Sequence, residues 1–294
     1  MKSAVISLLF AGLTVAVPLS GSLPQSAGPR TRDIYVSVVD GKGVAVPGLG
    51  STDFSVREDG VEREVINAVA ATEPLSIVLL VDDSQASTAS IAHLRDGITH
   101  FLELMKGKAS IGIVTVGERP TSVVERTSDV AAQKKAIGRI FARPGSGAYL
   151  LDGIVEVSQG LRKRDASRAH IVALSVEAIE FSNLQKEKVL TELFAAGATL
   201  HVLAIGAPAF PSSDEMRNRA IVIADGTEQT GGRREQLLTP MAIDDHLTRL
   251  AGELLNQYVV TYGRPESLLK PEKVKVSARK PGLNARARTR LQDR

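Results

Sequence analysis

Apolar side chains fall on alternate positions at Ile34, Val36 and Val38, the period of a strand with one face buried. The run DFSVREDGVEREVINAV that follows sets Asp59-Gly60 between two strand-like stretches, a strong short-range hairpin signal. From about Leu75 the texture changes. SIVLLVD is continuously apolar, and it is followed by a helical pattern near 90–106, the strands ASIGIVTVG and TSVVERT, and helical patterns near 130–141 and 150–162. HIVALSV, a helix near 183–196 and TLHVLAIG complete the alternation. Apolar strands separated by helices predict a mostly parallel sheet covered on both faces, a doubly wound α/β fold. A polar stretch at 208–217 leads to the apolar AIVIADG and the turn TGG, then to a last helix near 244–255 and the strand QYVVTY. The tail returns to strand texture in KVKVSAR and NARARTR, on either side of the turn signal Pro281-Gly282. The economical architecture is a small β-sandwich built from residues 30–72 and 257–294, with an α/β domain over 73–256 inserted between them.

The first 28 residues hold one lysine, an apolar run from about Ala4 to Val17 and then small residues, the layout of a secretory signal with cleavage expected between residues 22 and 28. Pro18 ends that run short of the roughly 20 residues a spanning helix needs. The chain has no cysteine, which excludes disulfides, thiolate metal sites and a lipid-modified terminus and suits a secreted or periplasmic protein with a self-sufficient core. Trp is absent and aromatic content is 4%, leaving little for a sugar platform or a base-stacking surface. Net charge is +3, yet residues 264–294 carry ten Lys or Arg against three Asp or Glu, so the remainder is acidic.

Five segments, read in order, carry a resemblance: VVDGKGVAVPGLG, DFSVREDG, VLLVDDSQA, TGG and NQYVVTY. Over roughly residues 33–291 the chain resembles von Willebrand factor type A domain proteins, most of all their secreted bacterial, acidobacterial-type subfamily. The resemblance implies a metal-ion-dependent adhesion site at the C-terminal edge of the parallel sheet, built from an Asp and two Ser after the first strand, a Thr from a second loop and an Asp from a third. Mg²⁺ requires about six oxygens in near-octahedral array. Carried over position by position, Asp82 and Ser84 are kept, while Ala86, Ala148 and Val176 stand where the second Ser, the Thr and the second Asp are expected. A methyl group cannot coordinate an ion. Ser87, Ser146, Ser175 and Glu177 sit one or two positions from the lost ligands and are the neighbours that would have to rescue the site.

A strand ending in paired acids is also how a phosphate-accepting receiver domain begins. That fold needs an Asp and a Lys at later strand ends, and ASIGIVTVGE, TSVVERT and TLHVLAIGA supply neither. There is no G-x-S-x-G elbow, no H-E-x-x-H and no GK[ST] phosphate loop. Ser277 and Lys280 match S-x-x-K, but in a strand-like segment without the companion motifs; His93 and His100 share a helix face with no third ligand. In the tail, Val274, Val276 and Ala278 are expected to face the core, with Lys273, Lys275, Arg279, Arg286, Arg288 and Arg290 facing water. Those charges guard edge strands, or they form a patch for an anionic partner. Gly231-Gly232 with Arg233 reads as a plain turn or a small anion nest.

The sequence reading is thus an exported, non-enzymatic interaction module with no obligatory cofactor, no nucleic-acid partner and no membrane span after signal cleavage. Its contact residues are expected to be Asp82, Asp83, Ser84, Ser87, Ser146, Ala148, Tyr149 and Glu177, meeting an unidentified protein. One alternative is metal-dependent adhesion through Mg²⁺ or Mn²⁺ held weakly by Asp82 and Ser84; another is a secreted hydrolase or phosphate-handling enzyme with an unfamiliar site.

Overall fold

The computed structural model describes residues 30–264 and 271–290, so the expected secretory segment lies outside the described residues. The central strand β5 (Leu75–Val81) is buried along its whole length, which is why its sequence is apolar at every position but Ser76. It pairs in parallel with β6 (Ala109–Thr115) on one side and β8 (Ala169–Val176) on the other. Beyond β8 lie β9 (Thr199–Ile205) and the short β10 (Arg234–Leu237), both parallel; beyond β6 the antiparallel β7 (Thr121–Thr127) closes the sheet. Helices α1 (Ile91–Leu104), α2 (Val130–Ile137) and α6 (Ile243–Leu255) bury their apolar stripes on one face. The other face is covered by α3 (Leu150–Lys163), α4 (Lys186–Ala196) and α5 (Asp214–Thr230).

The doubly wound α/β fold expected from the pattern is therefore present, with two local differences. Much of the stretch 208–217 is the first turn of α5, where the Ser213 hydroxyl accepts the Met216 N–H and Asp214 and Glu215 favour the helix start. The strand β10 has one buried side chain, Leu237, and so offers no apolar period. The TGG segment ends α5: Gly231 takes φ +78°, and a Cβ on Gly232 would stand 1.8 Å from the Leu200 carbonyl oxygen. Close backbone approach accounts for both glycines without an anion.

Both ends of the described chain build the sandwich. A four-stranded sheet has the order β13 (Asn284–Ala287), β1 (Arg30–Val39), β11 (Tyr258–Arg264), β4 (Val65–Ala70). A three-stranded sheet faces it in the order β12 (Val274–Ala278), β2 (Phe54–Glu58), β3 (Val61–Arg63). Asp59 and Gly60 both take positive φ in the β2–β3 turn, as an Asp-Gly hairpin requires. Ile34, Val36, Val38, Val274 and Val276 meet in the core around Phe54 and Tyr258, whose rings pack edge to face at 5.4 Å.

The tail keeps its expected solvated face at Lys273, Lys275, Arg279 and Arg290 and departs from it at Arg286 and Arg288. Arg286 is half-buried with Nη2 2.5 Å from Glu253 of α6, and Arg288 donates to the Gly197 carbonyl at the end of α4. Helices α4, α5 and α6 end at this junction, so their free carbonyls draw guanidinium groups inward. Arg168, held at φ +40° just before β8, completes the contact. Its guanidinium donates to the carbonyls of Glu73 (2.5 Å) and Leu254 (2.9 Å) and to Gln257 Oε1 (3.0 Å).

Candidate functional site

The strand order changes direction at β5: one crossover leads to β6, another returns to β8 on the opposite side. The crevice between the C-terminal ends of β5 and β8 is the switch point at which open α/β sheets take ligands. Asp82 stands there, fully buried. Its Oδ1 accepts the Ser84 N–H (2.9 Å) and its Oδ2 accepts the Val176 N–H (3.0 Å), so the carboxylate straps the two strand ends together. Burial raises its pKa, opposed by hydrogen bonds from Ser84 and Val176 and by the Arg219 charge. Asp83 is equally committed: Oδ1 accepts the Gly117 N–H (2.6 Å), Oδ2 accepts Arg143 Nε (2.8 Å), and its carbonyl accepts the Arg143 N–H.

A guanidinium also lies at this edge. Arg219 of α5 reaches under the β8 end, donating to Glu177 Oε2 (3.1 Å), Ser175 Oγ (3.1 Å) and the Val176 carbonyl (3.3 Å). Glu180 Oε2 lies 3.8 Å from Arg219 Nε. Burial pushes the Glu180 carboxyl up to about 7, against the lowering effect of Ser182 and Arg219. The segment carrying Glu180 runs beside Ala148 as an isolated parallel bridge, and the Phe181 N–H donates to the Ala148 carbonyl. Gly147 makes this approach feasible, because a Cβ there would fall 2.0 Å from the Phe181 ring.

The residues singled out in the sequence do converge on one edge, but mostly beneath its surface. Asp82, Asp83, Ser84, Ser87 and Ala148 are buried, and Glu177 is turned inward to Arg219. Ser87 Oγ donates to the Ser84 carbonyl and Ser146 Oγ to the Arg143 carbonyl, so both serve loop geometry. Tyr149 is half-buried, its ring centroid 6.0 Å from that of Phe181. What reaches solvent here was not singled out: Phe210 is 86% exposed, Phe141 62% and Phe181 49%, with Ile179, Leu238 and Met241 on the same edge. The signal was in the sequence, as large apolar residues within turn-rich loops. Every loop bearing one follows a strand of the parallel sheet or, for Phe141, the helix whose next turn docks on Asp83.

No family model matches the sequence, and no curated protein matches it. Among solved structures, a von Willebrand factor type A protein from Catenulispora acidiphila superposes with a TM-score of 0.52 at 12% identity, covering 90% of this chain and 72% of the other. The fold is von Willebrand factor type A-like. Proximal thread matrix protein 1 from the mussel byssus is similar with a TM-score of 0.50 at 13% identity, over 74% of this chain and 50% of that one.

The donor set of this type A fold does not suit a divalent cation. Ala86, Ala148 and Val176 present no oxygen from their side chains, and both Asp82 oxygens already accept backbone N–H groups. Among the described residues no group of three His, Asp or Glu side chains is placed to hold an ion. Ser84 Oγ is buried without a hydrogen-bond partner among the described residues, as is Glu180 Oε2, which faces Arg219 instead of Asp82. Mg²⁺ does not shed its water for so few ligands.

Proposed function

We propose that the chain is an exported, non-catalytic interaction module that grips a protein partner with the C-terminal edge of its type A sheet and needs no resident metal. One observation carries this reading. The carboxylates of the switch point are consumed by internal hydrogen bonds, while the three exposed phenylalanines stand on the loops around them. Aromatic anchors on a rigid scaffold are the usual energetic centre of a protein interface. Each ring contributes about 1.5–3 kcal/mol if fully buried by a partner. Export rests on the signal-like N-terminus, and the absence of catalysis rests on the lack of a nucleophile, base and anion donor brought together at this edge.

The test is affinity capture of the mature chain from its own envelope fraction, comparing wild type with a Phe141→Ser, Phe210→Ser double variant. A partner retained by wild type and lost by the variant, at unchanged melting temperature, is the expected result. Equal capture by both would refute the assignment of this edge. Calorimetric titration with Mg²⁺ and Mn²⁺ should give no binding heat; a clear heat that disappears in Asp82→Ala would restore metal-dependent adhesion.

A further inference from the structure

On the face of the sheet that carries α3, α4 and α5, the β6–β7 edge is left partly open. Val78 of β5 and Val114 of β6 form the floor of a groove of about 240 Å³, Val157 and Leu161 of α3 form one wall, and β7 with Pro120 forms the other. Gly160 in α3 leaves space, since a Cβ there would meet nothing within 4 Å, while Gly112 beneath the groove lets the β7 backbone approach, a Cβ there falling 3.2 Å from the Arg126 nitrogen. The groove is thus open at the α3 position from which no side chain projects.

Two guanidiniums line this space: that of Arg164 is paired with Glu125, and that of Arg126 is not paired. Arg126 of β7 lines the groove with Nη1 buried and without a hydrogen-bond partner, and among the described residues no carboxylate lies within ion-pair distance of it. The nearest acid on its own strand, Glu125, is taken by Arg164 Nη2 (3.1 Å) and Ser122 Oγ (3.1 Å). Glu156 stands exposed on the α3 rim and makes no ion pair among the described residues. Burial and the neighbouring Arg164 charge both lower the Arg126 pKa, which marks a cation held where it lacks compensation. Polar groups buried in native proteins are normally hydrogen-bonded, and the buried Nη1 of the half-buried Arg126 is not.

We propose that this groove binds a small amphiphilic carboxylate, with its hydrocarbon body against Val78, Val114, Val157 and Leu161 and its carboxylate on the Arg126 guanidinium. A guanidinium fork matches a carboxylate in two parallel hydrogen bonds. The volume lies below the range of drug-sized pockets, which limits the body to a short chain. For a ligand of about ten heavy atoms a dissociation constant of roughly 0.1–1 mM is expected. The groove lies against the later turns of α3 and shares no lining residue with the Asp82 crevice, so the two sites are tested separately.

The experiment is an NMR titration of the full mature chain with octanoate, with octanol as the uncharged control. Octanoate should shift the amide signals of Gly112, Gly160 and Arg126 saturably, and octanol should bind at least tenfold more weakly. Arg126→Gln should weaken octanoate at least tenfold, and Gly160→Leu should abolish binding by filling the groove while leaving melting temperature unchanged or raised. No saturable shift up to about ten times the expected constant, equal affinity for octanol, or undiminished binding in Gly160→Leu would each overturn the proposal.

Discussion

Arg168 offers a direct measure of how the sandwich and the α/β domain are joined. Truncation in Arg168→Ala removes donors to the Glu73 and Leu254 carbonyls and to Gln257, which lie respectively before β5, at the end of α6 and at the entry to β11. Hydrogen bonds from a charged donor contribute about 1.5–3 kcal/mol each. The junction cleft beside Arg168, about 370 Å³, admits water to the orphaned acceptors, so the lower end applies and the loss is about 3–5 kcal/mol. For a chain of this size that is a fall in melting temperature of roughly 10 °C by calorimetry. Arg168 also sits at φ +40°, where a Cβ costs about 1–2 kcal/mol that glycine avoids. Glycine gives back about 0.5–1 kcal/mol through the freer unfolded chain. Arg168→Gly should therefore be more stable than Arg168→Ala by about 0.5–1 kcal/mol, although it deletes the same side chain. A loss under 1 kcal/mol in Arg168→Ala, or a glycine variant less stable than the alanine one, would refute this account of the junction.

The buried Glu180 predicts a pH signature. Its folded pKa of about 7 lies above the ordinary 4.5, so the stability it contributes is full below about pH 4.5 and is lost as pH rises through 7. Glu180→Gln should match wild type near pH 5 and exceed it by up to about 3 kcal/mol at pH 8, read by urea denaturation at both values; a constant difference across that range would contradict the burial. His201 has the opposite sign: burial and the charges of Arg286 and Arg233 hold it down at about 3, so its contribution is present above pH 6.5 and lost as pH falls. His201→Gln should accordingly flatten the acid limb of the stability profile. Gly232→Ala should cost more than about 3 kcal/mol, since the added carbon meets the Leu200 carbonyl, and a melting temperature within 3 °C of wild type would show that the turn yields.

Strapping Asp82 to Val176 and Asp83 to Gly117 and Arg143 has a consequence for the interaction edge. These bonds fix four loops to one another, so the partner proposed above would meet a surface already ordered. Pre-ordering lowers the entropy lost on binding. Arg219 serves the same end from below by neutralising Glu177 and holding the β8 terminus.

The alternation of apolar runs with helical periods determined the α/β class, the burial of the IVLLV strand and the sharing of one sandwich by the N- and C-terminal β segments, because local periodicity reports which faces are buried. Asp59-Gly60 announced its hairpin for an equally local reason, the positive φ that the turn needs. The resemblance to type A domains placed Asp82, Ser84, Ala148 and Val176 at a common edge. Their orientation was decided only by tertiary structure. Whether an aspartate at a strand end faces solvent or a neighbouring N–H depends on the strand beside it, which lies 94 residues away for Asp82 and Val176. Arg286 and Arg288 read as a solvated stripe until helix ends converged on them, and Arg219 lay in a helix whose apolar period was too weak to reveal it. Long-range pairing of charges leaves no periodic trace in a sequence, so the fold was legible while the wiring of its site was not.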